Sequence, residues 1–138
     1  MLHYGYTVHS MSRVIALVDD LLFLSRIREA ARGTAAEVRV VRDARALGES
    51  VREGGRLVLV DADSSRLPWD EAVRALRATE GDAVPVVAFL SHVHADRAHA
   101  AREAGCTRVL ARGAFVQELP RLIAAAAASA PAPEETER

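Results

Sequence analysis

Hydrophobic and polar positions along the chain fall into two alternating textures. The first is the short, unbroken apolar run. Residues 13–18 carry one, Val14 to Val18, which ends in Asp19 and Asp20. Val38, Val40 and Val41 form a second, and Leu57 to Val60 a third that ends at Asp61. Residues 86–90 follow Pro85 and end at Ser91, and residues 108–111 make a fifth. Runs that are apolar at every position read as parallel strands covered on both faces. The second texture has helical spacing. It places Leu24, Ile27 and Ala31 on one face of 21–32, which stops at Gly33. Asp43 can cap a helix reaching 53, with Leu47 and Val51 inward and Gly54-Gly55 as its end. Pro68 suits the first turn of a helix carrying Trp69, Val73 and Leu76, which Gly81-Asp82 ends. A fourth helix is predicted over 95–104, stopping at Gly105. A fifth is predicted from Ala114, burying Phe115, Leu119, Leu122 and Ile123 and extended by the alanines at 124–128.

Strand followed by helix, repeated, requires right-handed crossovers. The expected fold class is therefore α/β, a flavodoxin-like (βα)5 three-layer sandwich with parallel sheet order 2-1-3-4-5. One domain is expected over 13–128, between a disordered leader (1–12, with Met11 as a candidate start) and a disordered Pro- and Glu-rich tail (129–138). With 138 residues, half of them hydrophobic, the chain can build one core without staples. The net charge of -1 and the lack of a basic stripe argue against a nucleic-acid partner. No apolar run is long enough to span a bilayer, so no membrane association is expected. The single Cys106 has no disulfide partner, which suits a reducing, cytoplasmic location. The chain has no Lys, so any mechanism needing a lysine ammonium is excluded.

In this strand order strands one and three are neighbours. Asp19, Asp20 and Asp61 then converge at the carboxyl edge of the sheet, where open α/β folds bind ligands. Clustered carboxylates repel, so one must hold a proton unless a cation neutralises them. A small hard divalent ion does this with few protein oxygens. Blander readings stand beside this one. Asp20 can simply cap helix one, Ser91 can cap helix four, and Cys106 reads as a buried packing residue.

The segments Val18-Asp19-Asp20, Leu59-Val60-Asp61, 86–91, Arg102-Glu103-Ala104-Gly105-Cys106 and Val109-Leu110-Ala111-Arg112 together resemble the receiver domain of bacterial response regulators, in order and in spacing. The resemblance implies phosphoryl acceptance at Asp61. It implies Mg2+ held by Asp20, Asp61 and the Ala62 carbonyl, with Asp19 assisting, and phosphoryl oxygens met by Ser91 and Arg112. It further implies a signalling protein that is not an enzyme, phosphorylated by a histidine kinase. Output would pass by contact to an unknown effector, or to a second copy, through helix four, strand five and helix five.

Several positions depart from the family pattern. Arg112 stands for the lysine, Gly113 for the proline and Val109 for the switching aromatic; the loop 62–68 is long, and Asp63 adds a charge. These departures motivate an alternative, a phosphorylation-independent pseudo-receiver in which Arg112 pairs permanently with Asp61. A minor alternative is a zinc hydrolase. His92, His94, Asp96 and His99 resemble the zinc motif of metallo-β-lactamase-like enzymes, although Arg97 stands where that motif has a histidine.

Overall fold

The computed structural model describes residues 12–92 and 94–128. The expectations for a leader and a tail fall on 1–11 and 129–138, outside the described residues, and at Ser12, which opens the first strand. Strands β1 (Ser12–Leu17), β2 (Ala36–Val40), β3 (Gly55–Asp61), β4 (Val86–Leu90) and β5 (Arg108–Ala111) alternate with helices α1 (Leu21–Ala31), α2 (Ala44–Arg52), α3 (Trp69–Glu80), α4 (Ala95–Ala104) and α5 (Arg112–Ala128). The strands form one parallel sheet in the order β2-β1-β3-β4-β5, as the alternation predicts.

The period of two along each strand sorts the core into two layers. Val14, Ala16, Leu57, Leu59, Val87 and Phe89 face α1 and α5. Ile15, Leu17, Val58, Val60, Val86 and Leu90 face the layer of α2 and α3. Burial on both sides explains why the three central strands have so few polar positions.

The helix ends follow their capping residues. Asp20 accepts from the N–H groups of Leu22 (3.0 Å) and Phe23 (3.3 Å), and Asp43 from that of Ala46 (2.9 Å). Gly105 ends α4 at φ +123°, where a Cβ would come within 2.6 Å of Arg77 Cγ, so both backbone and space require glycine.

Several expected boundaries shift. β2 begins at Ala36, before the valines. β3 begins at Gly55, so this glycine opens a strand as well as ending the loop. Pro68 caps α3 from outside instead of entering its first turn. The largest shift is at α5, which starts at Arg112 and not at Ala114. The first helical residue is thus the residue that follows β5 directly, and this aims its side chain across the end of the sheet.

Candidate functional site

Parallel pairing sets the carboxyl ends of the strands side by side. Leu17 is in register with Val60, Asp61 with Phe89, and Leu90 with Ala111. The residues just beyond these positions, Asp19, Asp20, Asp63, Ser91 and Arg112, therefore share one rim with Asp61.

Arg112 is at its centre. Its Nη1 lies 3.4 Å from Asp20 Oδ2, its Nη2 3.7 Å from Asp61 Oδ1 and its Nε 3.2 Å from Asp63 Oδ2. The guanidinium carbon stands 4.5 Å from the Phe23 ring centroid and 5.4 Å from that of Phe89. Phe89 is in turn stacked against Phe23 (4.8 Å) and Phe115 (4.4 Å). A planar, weakly hydrated cation suits this position, with acids at its edge and aromatic rings at its face.

Asp61 is buried, 3% exposed, and accepts a hydrogen bond from the Asp63 N–H at 3.0 Å. Burial pushes its carboxyl above the ordinary 3.8, against the opposing pull of that N–H and of Arg112. Asp63 behaves oppositely. Burial acts to raise it, but hydrogen bonds from the Ser91 hydroxyl and N–H and from Arg112 outweigh burial and hold it below 3.8. The Ser91 N–H donates at 2.6 Å and its hydroxyl at 2.5 Å, both to Asp63 Oδ2, while Arg97 Nη2 reaches Asp63 Oδ1 at 3.3 Å. Asp63 thus ties the loop after β3 to the loop after β4 and to the start of α5.

The predicted site residues are brought together, in an arrangement only partly anticipated. Asp20 caps α1, as its blander reading expects, and its other oxygen faces Arg112 and not a metal position. Ser91 does not cap α4, whose N-cap position is His94; its hydroxyl serves Asp63 instead. Asp19 turns toward Arg66, 3.8 Å away. The Ala62 N–H donates to the Phe89 carbonyl at 3.1 Å. Sequence reasoning noticed Asp63 only as an extra charge, and missed Arg97, Phe23 and Phe89. Phe23 had a signal, since it lies three residues beyond the cap Asp20, on the turn of α1 beneath the rim.

The donor set does not fit a divalent ion while Arg112 holds this position. One Asp20 oxygen is committed to the N-terminus of α1 and the other faces the guanidinium, as does Asp61 Oδ1. Among the described residues, no three His, Cys, Asp or Glu side chains converge as metal ligands would.

The zinc-hydrolase expectation is overturned by the fold, a single parallel sheet and not the two-sheet architecture of those enzymes. The histidines do not converge either. The His92 and His94 rings are 6.1 Å apart, and His99 pairs with Glu103 at 3.7 Å instead of with Asp96. Cys106 packs in the core as expected, 6% exposed, and burial pushes its thiol up to about 11. Native protein at pH 8 is therefore expected to leave Cys106 unmodified by a thiol-disulfide reagent that reacts at once in urea. Rapid labelling of the folded chain would contradict the packing role.

Among the described residues, no helix is long and apolar enough to cross a membrane. No protein-family model matches the chain, and the search of curated proteins finds no match. Solved structures are similar to it. A response regulator from Hahella chejuensis aligns with TM-score 0.69 at 18% identity, over 81% of this chain and 92% of that one. The receiver domain of a sensor histidine kinase from Pseudomonas aeruginosa, solved with magnesium in its active-site cleft, aligns with TM-score 0.64 at 25% identity, over 86% and 99%. The receiver domain of a Saccharomyces cerevisiae response regulator, solved with a histidine phosphotransfer protein, aligns with TM-score 0.67 at 16% identity, over 86% and 92%.

The protein is thus a doubly wound α/β domain with its polar rim at the carboxyl ends of the strands. More narrowly, its fold is the receiver fold of response regulators.

Proposed function

We propose that this chain is a receiver-type signalling module, not an enzyme, that acts by protein contact with its switch region set by internal charges instead of phosphoryl transfer. The observation that carries this reading is the guanidinium of Arg112 between Asp20, Asp61 and Asp63. By the resemblance, Ser91 and Arg112 are the residues that would meet phosphoryl oxygens. Here the Asp63 carboxylate takes hydrogen bonds from both. A resident anion and a resident cation satisfy each other, so neither a metal nor a phosphoryl group is needed to order the rim. The contact face would be edge strand β5, where Val109 and Leu110 keep partial exposure, with α4 and α5 beside it; it would meet an effector or a second copy.

A second reading is favoured by Asp61 itself, a buried carboxyl beside further acids. In that reading a histidine kinase or phosphotransfer protein phosphorylates Asp61 with Mg2+, after Arg112 has moved aside. It draws support from the neighbours solved with magnesium and with a phosphotransfer protein.

Titrating the full chain with Mg2+ and beryllofluoride, followed by amide NMR, separates the two. The leading reading expects no saturable response at Asp61, Ser91 or Arg112. It also expects Asp63→Ala to shift the amides of the loop after β4 without any ligand. A Mg2+-dependent response that disappears in Asp61→Asn would establish the second reading and overturn the first.

A further inference from the structure

At the opposite end of the sheet, where β3, β4 and β5 begin, an open cleft of about 530 Å³ lies between the ends of α2 and α3 and the last turns of α5. Leu122 was expected in the core but is only half-buried, because it forms part of this cleft's wall. Most of the lining is apolar, with Val84, Pro85, Leu122 and Ala125 prominent. A volume of this order, apolar with few polar groups, is typical of small-molecule sites.

The polar group that matters is Arg56. The β1–β3 register slips here: Arg13 pairs with Gly55 and Val14 with Leu57, which leaves Arg56 with no counterpart. Pairing of β3 with β4 starts only at Val58. Such a bulge re-aims a side chain, and Arg56 lines the cleft. Its Nε is buried without a hydrogen-bond partner, and among the described residues it forms no ion pair. The neighbouring charges are already matched, Glu80 with Arg52 and Arg108 with Glu118. A buried N–H without a partner is costly, and an acceptor held in the cleft would satisfy it.

We propose that this cleft binds a small organic anion, an apolar body carrying one carboxylate or sulfonate, with the acid group on Arg56 and the body against Val84, Pro85 and Leu122. The site is separate from the acidic rim, so this inference and the proposed signalling role stand or fall independently.

Fluorescence titration of the full chain with 8-anilinonaphthalene-1-sulfonate tests it. One saturable site per chain is expected, with octanoate competing. Arg56→Met keeps the apolar stem and removes the donors. It should weaken sulfonate binding about tenfold or more, the worth of a hydrogen bond to a charged group. It should leave binding of the uncharged N-phenyl-1-naphthylamine and the urea midpoint unchanged. Ala125→Trp, at an exposed position, should block both probes. The proposal is overturned by non-saturable binding, by equal affinity of the parent chain and Arg56→Met for the sulfonate, or by binding that is lost as protein concentration rises. The last result would assign the cleft to a second copy of the chain.

Discussion

Phe89→Ala is expected to destabilise the fold by about 3–5 kcal/mol in urea denaturation, with an unchanged m-value. Phe89 is fully buried near the carboxyl end of β4, and its ring is stacked between Phe23 and Phe115. Truncation removes the transfer free energy of the ring and opens a cavity between two aromatics. These are anchored on α1 and α5, so neither can collapse far. Phe89→Leu keeps much of the volume and is expected to cost about 1–2 kcal/mol. The functional consequence comes from the upper edge of the stack, where Phe23 and Phe89 present their faces to Arg112. Loosening the platform should therefore broaden the Arg112 side-chain NMR signals even under conditions where the variant remains folded. A loss below about 1 kcal/mol would show that the aromatic stack is not a principal element of the core.

The sheet order was readable because its signals are local and repeated. Five apolar runs and five helical stretches leave few right-handed solutions, and Asp19, Asp20 and Asp61 fall at strand ends in any of them. The boundaries that slipped are those where two rules compete. Gly55 obeys both a break signal and the demand for close packing. A Cβ there would sit 2.5 Å from Ile15 Cδ1 and 2.8 Å from Val51 Cα, so the strand starts on a glycine for steric reasons invisible in the pattern. Arg112 was expected in the loop before α5, whereas it opens the helix.

The contents of the rim were harder to read for a different reason. A chain of charges shows which groups are near one another, but not which oxygen each cation takes. Asp63 could be read as one more repelling acid until the loop after β3 was seen to fold it onto Ser91, Arg97 and Arg112. The two rings beneath Arg112 come from α1 and β4, far apart in the chain, and no spacing rule joins them.

Arg112→Ala is expected to cost about 2–3 kcal/mol at pH 7. Removing one partner of a buried pair costs about 3–5 kcal/mol. The lower figure applies because Arg112 and Asp20 are each about a third exposed, 29% and 33%, so water screens part of the loss. Most of the penalty falls on Asp61, only 4% exposed at its side chain and left without its counter-charge. The pH dependence has a definite sign. Burial already holds the folded-state pKa of Asp61 above 3.8, and loss of Arg112 raises it further. A carboxyl with a raised folded pKa binds its proton more tightly in the native state. Its ionisation therefore penalises the fold above that pKa, and the penalty is relieved as pH falls through the folded value toward 3.8. The stability gap between parent and Arg112→Ala should accordingly narrow between pH 7 and pH 4, and Arg112→Ala/Asp61→Asn should recover most of the loss at pH 7. Millimolar Mg2+ should raise the melting temperature of Arg112→Ala but not of the parent, because only the variant leaves the carboxylates in need of a cation. A gap that stays constant across this pH range, together with no rescue by Asp61→Asn, would mean that Arg112 does not serve as the internal counter-ion and that the rim is ordered by other contacts.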